Sequence, residues 1–243
     1  MNVAVIIAGG TGSRMKQDIP KQFLNVNDKP IIVYTLQAFE RHPSIDKILV
    51  VCLSGWEDIL KAYAKQFDIS KLEWIVSGGN SGQESIKNGV FFLRDKIDPN
   101  DIVIIHDGIR PLIDEEVISS VLVTCEQFGN GLTSIPVTEQ VFIADNIPEQ
   151  RYKKSNKYID RDSIKMVGTP QAYKFELLYD GYKEAFDKKI GIEGSSYTNT
   201  MMIELGKELY LCEGSPKNIK LTTKDDFEIF KAYLKASKDE WLR

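Results

Sequence analysis

The sequence predicts an α/β fold in which a doubly wound, mainly parallel sheet carries helices on both faces. Two observations predict it. Apolar runs of strand length alternate along the chain with segments whose apolar residues recur at helical spacing. The runs are rich in valine and isoleucine, as expected for strands that are buried on both faces. Right-handed crossovers between such strands produce a parallel sheet, and ligands bind at its carboxyl edge.

The strands share short apolar runs that end at polar or glycine-rich segments. They are predicted at residues 3–7, 47–53, 72–76, 101–105 and 132–137, with shorter strands at 208–212 and 219–221. The helices share apolar residues spaced three and four apart. They are predicted at residues 31–41, 56–67, 83–93, 114–128, 177–186, 198–205 and 224–234.

Local signals support several of these helix boundaries. Pro30 suits the first turn of the helix at 31–41, and Ser81 is a candidate N-cap for the helix at 83–93. Acidic residues follow Asp114 in the first turn of the next helix, where the helix dipole favours them. With these strand and helix bounds, three loops follow the carboxyl ends of predicted strands, namely 8–15, 77–85 and 106–111.

The pattern is weaker after residue 132. Residues 140–159 are polar, rich in lysine and contain Pro148, which suits either a protruding arm or hairpin or a solvated loop. The residue pattern alone does not choose between these. Residues 1–243 are predicted to form a single domain, with an arm at about 138–162.

Charge and cysteine content narrow the protein class. The net charge of −4 argues against a general nucleic-acid binder, which needs a basic face. Cys52, Cys125 and Cys212 lie far apart in apolar segments, so we expect reduced core cysteines of a cytoplasmic protein. No secretory leader or membrane-length apolar run is recognisable, and no membrane partner is expected.

The first strand leads directly into A-G-G-T-G-S-R-M at residues 8–15, and P-K-Q-F-L follows at 20–24. Glycines let backbone N–H groups close on an anion, and Arg14 and Lys21 add two cations beside them. The spacing matches neither G-x-x-x-x-G-K-[ST] nor G-x-G-x-x-G. A nucleoside triphosphate site is the favoured interpretation, with two solvated surface cations as the alternative.

Two further positions carry charge next to apolar segments. Asp107 follows a very apolar strand, where a carboxylate suits Mg²⁺ in a nucleotide site but also suits a helix cap. His106 is interpreted as a hydrogen-bonded structural residue, and Arg110 as an anchor of this loop through an ion pair. Lys220 lies in the apolar segment N-I-K-L, which indicates either a cation facing an anion or a lysine on an edge strand.

Together these motifs resemble one family, the CTP-dependent polyol-phosphate cytidylyltransferases that act on 2-C-methyl-D-erythritol 4-phosphate or D-ribitol 5-phosphate. The matching motifs span essentially the whole chain: A-G-G-T-G-S-R-M, P-K-Q-F-L, G-G-N-S-G-Q-E-S, H-D-G-I-R-P, D-R at 160–161, G-T-P-Q at 168–171 and E-G-S-P-K-N-I-K at 213–220. The resemblance implies a Rossmann-like nucleotidyltransferase fold, CMP transfer from CTP to a polyol phosphate with release of pyrophosphate, Mg²⁺ as cofactor, and a homodimer joined through the arm.

The resemblance also implies roles for residues at matching positions. Arg14 and Lys21 would stabilise the transition state, Lys220 would contact the reacting phosphates, and Asp107 would bind Mg²⁺. The residues that would hold CTP are Ala8, Gly9, Gly10, Gly12, Gly79 and Ser85. The residues that would bind the acceptor are Gln140, Ser196 and Arg161, the last of which would reach across the dimer.

Several positions depart from the family pattern. Gly82 replaces a usual arginine, and Ser196-Tyr197-Thr198 replaces a Thr-Asp-Glu segment. Glu139-Gln140 stands at an Asp-Thr pair, and Pro216-Lys217 covers the position of another aspartate. Because these changes lie mostly on the acceptor side, we expect D-ribitol 5-phosphate or a related alditol phosphate rather than 2-C-methyl-D-erythritol 4-phosphate. A ribitol acceptor implies wall or capsule polymers, and a methylerythritol acceptor implies isoprenoid precursors.

Two alternatives remain open from the sequence. A sugar-1-phosphate nucleotidylyltransferase shares the first loop with its arginine and lysine, although H-D-x-x-R-P and N-I-K favour the cytidylyl group. A catalytically inactive nucleotide-binding homologue is suggested by Gly82 and by the missing acidic residues.

Overall fold

The computed structural model describes residues 1–10, 19–145, 152–194 and 197–236. The described strands are β1 Asn2–Ala8, β2 Asn25–Val26, β3 Lys29–Pro30, β4 Lys47–Cys52, β5 Leu72–Ser77, β6 Ile102–Asp107, β7 Asn130–Pro136, β8 Val141–Ile143, β9 Lys157–Ile159, β10 Lys165–Lys174 and β11 Leu211–Glu213. The described helices are α1 Ile31–Arg41, α2 Glu57–Gln66, α3 Gly82–Phe92, α4 Glu115–Phe128, α5 Phe175–Lys188, α6 Thr198–Glu204 and α7 Lys224–Ala236.

The central sheet has the strand order β11-β7-β10-β6-β1-β4-β5. β1 pairs in parallel with β4 and β6, β4 pairs in parallel with β5, and β11 pairs in parallel with β7. β10 runs antiparallel to both of its neighbours, β6 and β7. The sheet is therefore mainly parallel, as the sequence predicts.

Alternate residues of the central strands face opposite layers of helices. Ala4 and Ile6 of β1 lie in a buried cluster with residues of α1, α2 and α4, whereas Val3 and Val5 lie in a second cluster with α3, α5 and α6. All four residues are fully buried. A strand covered on both faces cannot alternate polar and apolar residues, which explains its continuous apolar sequence.

Gly89 allows helix α3 to pack against the sheet where a side chain would not fit. A Cβ atom at Gly89 would lie 2.7 Å from Val51 Cγ2 and 3.1 Å from Val5 Cγ1. Both neighbours are β-branched and have little rotamer freedom. This close approach holds the first turn of α3 at the carboxyl edge of β4 and β5, where the candidate site lies.

Strand β10 has no counterpart in the strand prediction. Its first three residues are exposed, and the register shifts between Val167 and Gln171. The polar segment Gly168-Thr169-Pro170-Gln171 interrupts any apolar run, so the local pattern gives no strand signal. Long-range pairing with β6 and β7 decides its conformation.

Two short strands predicted near the C-terminus need correction. Residues 219–221 were expected to form a strand that includes Lys220, but they form no ladder, and the Leu221 N–H donates a single bond to the Ile109 carbonyl. The strand predicted at 208–212 is β11 and begins only at Leu211. Before it, the Asn130 side chain binds the Glu208 carbonyl and the Tyr210 N–H.

The segment at 140–159 contains a hairpin. β8 and β9 form a separate two-stranded antiparallel sheet, and residues 146–151 lie outside the described part of the chain. Phe142 and Tyr158 on this hairpin are 62% and 70% exposed, which is a high exposure for aromatic side chains.

The three cysteines are free thiols; Cys52 and Cys125 are buried in the core as predicted, whereas Cys212 is only partly buried. Burial raises the pKa of Cys52 and of Cys125 to about 12, so both are neutral and unreactive. Met201 and Met202 are buried core residues. Among the helices in the described ranges, none has both the length and the apolar character needed to cross a membrane.

Candidate functional site

A cavity of about 560 Å³ opens at the carboxyl edge of the sheet. The loops after β1, β5 and β6 line it, as the sequence predicts. The loops after β1 and β5 form one end, and Asp107, Thr169 and Lys220 form the other. The two ends adjoin each other, because β6, which ends at Asp107, pairs directly with β1. On its other side β6 pairs with β10, which carries Thr169.

Gly9, Gly79 and Ser85 meet at the first end of the cavity. The Ser85 hydroxyl accepts a hydrogen bond from the Gly79 N–H at 3.0 Å and donates one to the Ser81 carbonyl at 2.9 Å. A Cβ atom on Gly9 would lie 3.2 Å from Ser85 Oγ. These contacts bring the β1 and β5 loops together with little side-chain bulk, which leaves backbone groups accessible to a ligand.

Gln22 shapes the β1 loop, although the sequence interpretation assigned it no role. Its side chain is buried, and Nε2 donates to the Ala8 carbonyl at 2.8 Å and to the Gly10 carbonyl at 3.0 Å. Lys21 precedes it in a 3-10 turn, Lys21–Phe23, and lines the cavity. Gln22 therefore holds the cation of Lys21 beside the glycine loop. The available signal was its place inside the P-K-Q motif.

The N-terminus of α3 also faces the cavity. The Ser81 hydroxyl accepts a hydrogen bond from the Glu84 N–H at 3.1 Å, which confirms the predicted N-cap. Glu84 Oε2 in turn accepts from the Asn80 N–H at 2.7 Å. Asn80, Ser81 and Gly82 line the cavity, so the positive end of the helix dipole favours an anion there.

Asp107 is held between two cations at the other end. Its Oδ2 lies 2.9 Å from Arg110 Nε, and its Oδ1 lies 3.2 Å from Lys220 Nζ. Arg110 also donates to the Asn218 carbonyl at 2.8 Å, which ties the β6 loop to the segment that carries Lys220. The ion pair predicted for Arg110 is present.

The electrostatics keep Asp107 ionised. Burial alone would raise the pKa of this carboxyl, but the charges of Lys220 and Arg110 outweigh it and hold the pKa below its usual value. Lys220 thus faces an anion, one of the two interpretations open from the sequence.

The surroundings of His106 indicate a structural role rather than a catalytic one. It is fully buried, and burial lowers its pKa to about 4, so the ring is neutral at physiological pH. Nε2 lies 3.2 Å from the Arg110 carbonyl, and Nδ1 has no hydrogen-bond partner within the described residues. The histidine supports the Arg110 backbone from below the cavity.

The donor chemistry fits a magnesium ion that is held mainly by a nucleotide. The described residues contain no group of three or more histidine, cysteine or carboxylate side chains placed to bind a metal. One carboxylate, Asp107, lines the cavity. Mg²⁺ in nucleotide sites is bound by one or two carboxylates together with phosphate oxygens and water, so a single carboxylate is sufficient.

The structure brings together most of the residues that the sequence singles out. The cavity lining includes Ala8, Gly9, Gly10, Lys21, Gly79, Ser85, Asp107 and Lys220. Gly12, Arg14 and Ser196 lie outside the described residues. Gln140 and Arg161 are exposed at the base of the hairpin, where Arg161 donates to the Thr138 carbonyl at 2.8 Å, and neither lines the cavity.

The cavity also contains residues that sequence reasoning did not assign. They are polar or aromatic and include Gln22, Asn80, Thr169, Gln171, Tyr197 and Thr222. Thr169 donates its hydroxyl toward Asp107 Oδ2 at 3.5 Å and accepts from the Asp107 N–H at 3.1 Å. The G-T-P-Q motif is the signal for Thr169 and Gln171, and the signal for Tyr197 is its place in the segment 196–198 that departs from the family pattern.

Comparison with known proteins gives consistent matches. The family model for 2-C-methyl-D-erythritol 4-phosphate cytidylyltransferase (IspD) matches residues 2–236. The ribitol-5-phosphate cytidylyltransferase of Lacticaseibacillus paracasei is 54% identical over 235 residues, covering 97% of this chain and 98% of that protein. The 2-C-methyl-D-erythritol 4-phosphate cytidylyltransferase of Clostridium acetobutylicum is 34% identical, covering 97% of this chain and 98% of that protein.

A solved structure supports the same fold. The 4-diphosphocytidyl-2C-methyl-D-erythritol synthase of Anaerococcus prevotii superposes with a TM-score of 0.79 at 24% identity and covers 96% of each chain.

Proposed function

The chain belongs to the 2-C-methyl-D-erythritol 4-phosphate cytidylyltransferase (IspD) family, and we propose that it transfers CMP from CTP to D-ribitol 5-phosphate with release of pyrophosphate. The observation that carries the choice of acceptor is the 54% identity to a ribitol-5-phosphate cytidylyltransferase, against 34% to a relative named for the methylerythritol acceptor. The departures at 139–140 and 196–198, on the acceptor side, support the same choice. The product would be CDP-ribitol, a precursor suited to wall or capsule polymers.

The proposed reaction is one in-line displacement. A phosphate oxygen of the acceptor attacks the α-phosphorus of CTP, the new P–O bond forms, and the bond to the β-phosphate oxygen breaks. The acceptor phosphate is already ionised at neutral pH, so no general base is needed. The cations in the cavity, Lys21 and Lys220, would stabilise the negative charge that accumulates at phosphorus. Arg14, outside the described residues, belongs to the same proposal.

We propose that Ala8, Gly9, Gly10, Gly12, Gly79 and Ser85 hold CTP at the first end of the cavity. Asp107 would hold Mg²⁺, which neutralises phosphate charge when bound. Lys220 and Arg110 keep Asp107 ionised and oriented for that role. The proximity of Lys220 to Asp107 is what would place a cation beside the reacting phosphates.

Pyrophosphate release tests the acceptor directly. The purified protein is given CTP and Mg²⁺ with D-ribitol 5-phosphate, 2-C-methyl-D-erythritol 4-phosphate, erythritol 4-phosphate or glycerol 3-phosphate. We expect release with D-ribitol 5-phosphate, and we expect Lys21→Ala to reduce it by at least about 100-fold, because one charge that stabilises the transition state is lost.

The other outcomes distinguish the alternatives. Turnover of 2-C-methyl-D-erythritol 4-phosphate alone would contradict the proposed acceptor. Binding of CTP without pyrophosphate release would indicate the inactive homologue, and release with an aldose 1-phosphate would indicate the sugar nucleotidylyltransferase.

We propose further that the hairpin at 138–162 is an arm that joins two subunits, and that Arg161 and Gln140 bind the acceptor of the neighbouring subunit. Arg161 and Gln140 are exposed at the base of the hairpin and lie outside the described lining of the cavity of their own chain, so the proposed acceptor contact requires a neighbouring subunit. The exposed apolar side chains Phe142 and Tyr158 support burial of this hairpin against a partner.

Mixed dimers test the arm. Arg161→Ala and Lys21→Ala are each expected to be nearly inactive alone. When the two variants are co-expressed, about half of the dimers contain one subunit of each. In such a mixed dimer one site carries both changes and the other carries neither, so about a quarter of the wild-type activity returns. A monomer by light scattering, or activity no higher than the sum of the two variants, would refute the arm. Ser196 belongs to the same acceptor proposal.

We also propose a cytoplasmic location. The three free cysteines support a reducing compartment, and cell fractionation tests it.

A further inference from the structure

Three buried polar side chains form a network beside the cavity that the reaction above does not use. The Tyr182 hydroxyl donates to Gln83 Oε1 at 3.0 Å and lies 2.8 Å from Thr198 Oγ1. Gln83, Tyr182 and Thr198 are all at most 2% exposed. Buried polar groups reduce stability unless they are hydrogen-bonded. A network in which these groups find partners therefore fixes the positions of the segments that carry them.

That consequence is the position of the segment before α6. Gln83 Nε2 donates to the Gly191 carbonyl at 3.0 Å and to the Tyr197 carbonyl at 3.1 Å. One amide in the first turn of α3 therefore holds a segment more than a hundred residues away. Gly191 fits this arrangement because it has φ +64°, and a Cβ atom there would lie 2.7 Å from Met201 Cα.

Tyr197 is the residue of that segment that reaches the cavity. Its side chain lines the cavity, and its ring centroid lies 5.5 Å from Lys220 Nζ, within the range of a cation–π contact. The Lys220 ammonium thus contacts both the Asp107 carboxylate and the Tyr197 ring. The Tyr197 ring is therefore at the Asp107 end of the cavity, whereas the Tyr197 carbonyl is bonded to Gln83 beside the loop between β5 and α3.

We propose that Tyr197 is an acceptor-binding residue and that Gln83 is the positioning residue that holds it. This inference rests on the proposed function. An aromatic ring offers an apolar face to the C–H groups of a polyol chain, and its hydroxyl offers a hydrogen bond to the polyol hydroxyls. The neighbouring Lys220 ammonium attracts the phosphate of the same acceptor. One ring and one ammonium together match both parts of a polyol phosphate.

Steady-state kinetics on the full-length protein test the inference, with CTP and the acceptor varied separately. Tyr197→Ala is expected to lower kcat/KM for the acceptor about tenfold, near the upper end for one lost aromatic contact, while KM for CTP changes less than about twofold. Tyr197→Phe keeps the ring and is expected to recover most of that loss. The matched control is Tyr233→Ala, which removes a tyrosine of similar exposure, 42% against 48%, from α7.

Gln83→Met tests the positioning role, since it keeps the length and removes the two donated hydrogen bonds. We expect it to lower kcat/KM for the acceptor in the same way as Tyr197→Ala, again with little change in KM for CTP. The double variant is expected to be no worse than Tyr197→Ala alone, because Gln83 acts through Tyr197. Multiplicative losses would overturn the positioning role, and equal increases in both KM values would indicate a merely structural role.

Failure of this inference can be told apart from failure of the proposed function. If the wild-type protein does not turn over D-ribitol 5-phosphate, the proposed function fails, and the comparison is made with whichever polyol phosphate it uses. If it uses none, calorimetric titration with D-ribitol 5-phosphate in the presence of CTP replaces the kinetics. Equal affinities of wild type and Tyr197→Ala, or absence of binding to wild type, would overturn the role of Tyr197. If Gln83→Met does not fold, the Tyr197 variants still test whether Tyr197 binds the acceptor.

Discussion

Replacing Asp107 with asparagine is expected to remove CMP transfer and to lower the melting temperature. The carboxylate is the partner of both Arg110 and Lys220, at 2.9 and 3.2 Å, and all three side chains are mostly buried. Removing one partner from a buried ion pair leaves uncompensated charge, which costs about 3 kcal/mol. Loss of the proposed Mg²⁺ ligand should reduce kcat by at least about 1,000-fold, since the metal's charge stabilisation is lost as well.

Two measurements separate the contributions of charge and metal. Thermal unfolding reports the ion pairs, and CTP affinity titrated against Mg²⁺ reports the metal. In the wild type we expect Mg²⁺ to strengthen CTP binding, and in Asp107→Asn we expect this dependence to vanish. Asp114→Asn is the matched control, because Asp114 is paired with Lys217 at 2.6 Å but does not line the cavity. An Asp107→Asn protein with unchanged Mg²⁺ dependence would exclude Asp107 as the ligand.

Replacing Gly79 with alanine is expected to weaken CTP binding about 10- to 100-fold while the protein stays folded. A Cβ atom at residue 79 would overlap Glu84 Cβ and would lie 3.0 Å from the Glu84 carbonyl carbon. The backbone of α3 cannot move aside easily, so the loop itself must shift, at a cost of about 1–3 kcal/mol. That shift breaks the bond from the Gly79 N–H to Ser85 Oγ and deforms the end of the cavity proposed for CTP.

Calorimetric titration with CTP and circular dichroism together check this result. The matched control is Gly168→Ala, where a Cβ atom would meet Arg110 only at 3.6 Å, an ordinary contact distance. We expect this control to bind CTP as the wild type does. If Gly79→Ala binds CTP normally, the loop between β5 and α3 does not contribute to the nucleotide site.

Local patterns along the chain were enough to predict the parts of this protein that depend on neighbouring residues. Continuous apolar runs identified the buried parallel strands, and helical spacing identified α1 with its observed bounds, Ile31–Arg41. Ser81 as the cap of α3 was readable because capping depends on a few neighbouring residues. The glycine loop and Asp107 could be placed at one edge, since the carboxyl ends of parallel strands share it. The motifs also predicted the protein family, and the comparisons confirm it.

Contacts between distant segments could not be predicted from local patterns and became visible in the folded chain. β10 is a strand because β6 and β7 pair with it, although its own residues lack a strand pattern. The sequence indicated that Lys220 could face an anion, but it did not indicate that this anion is Asp107, which is 113 residues away. Gln83 belongs to the G-G-N-S-G-Q-E-S motif, but the sequence does not indicate what it contacts, because its two acceptor carbonyls are brought to it only by folding. Local propensity and periodicity describe neighbours along the chain, whereas burial and long-range hydrogen bonding select the partners of a side chain in space.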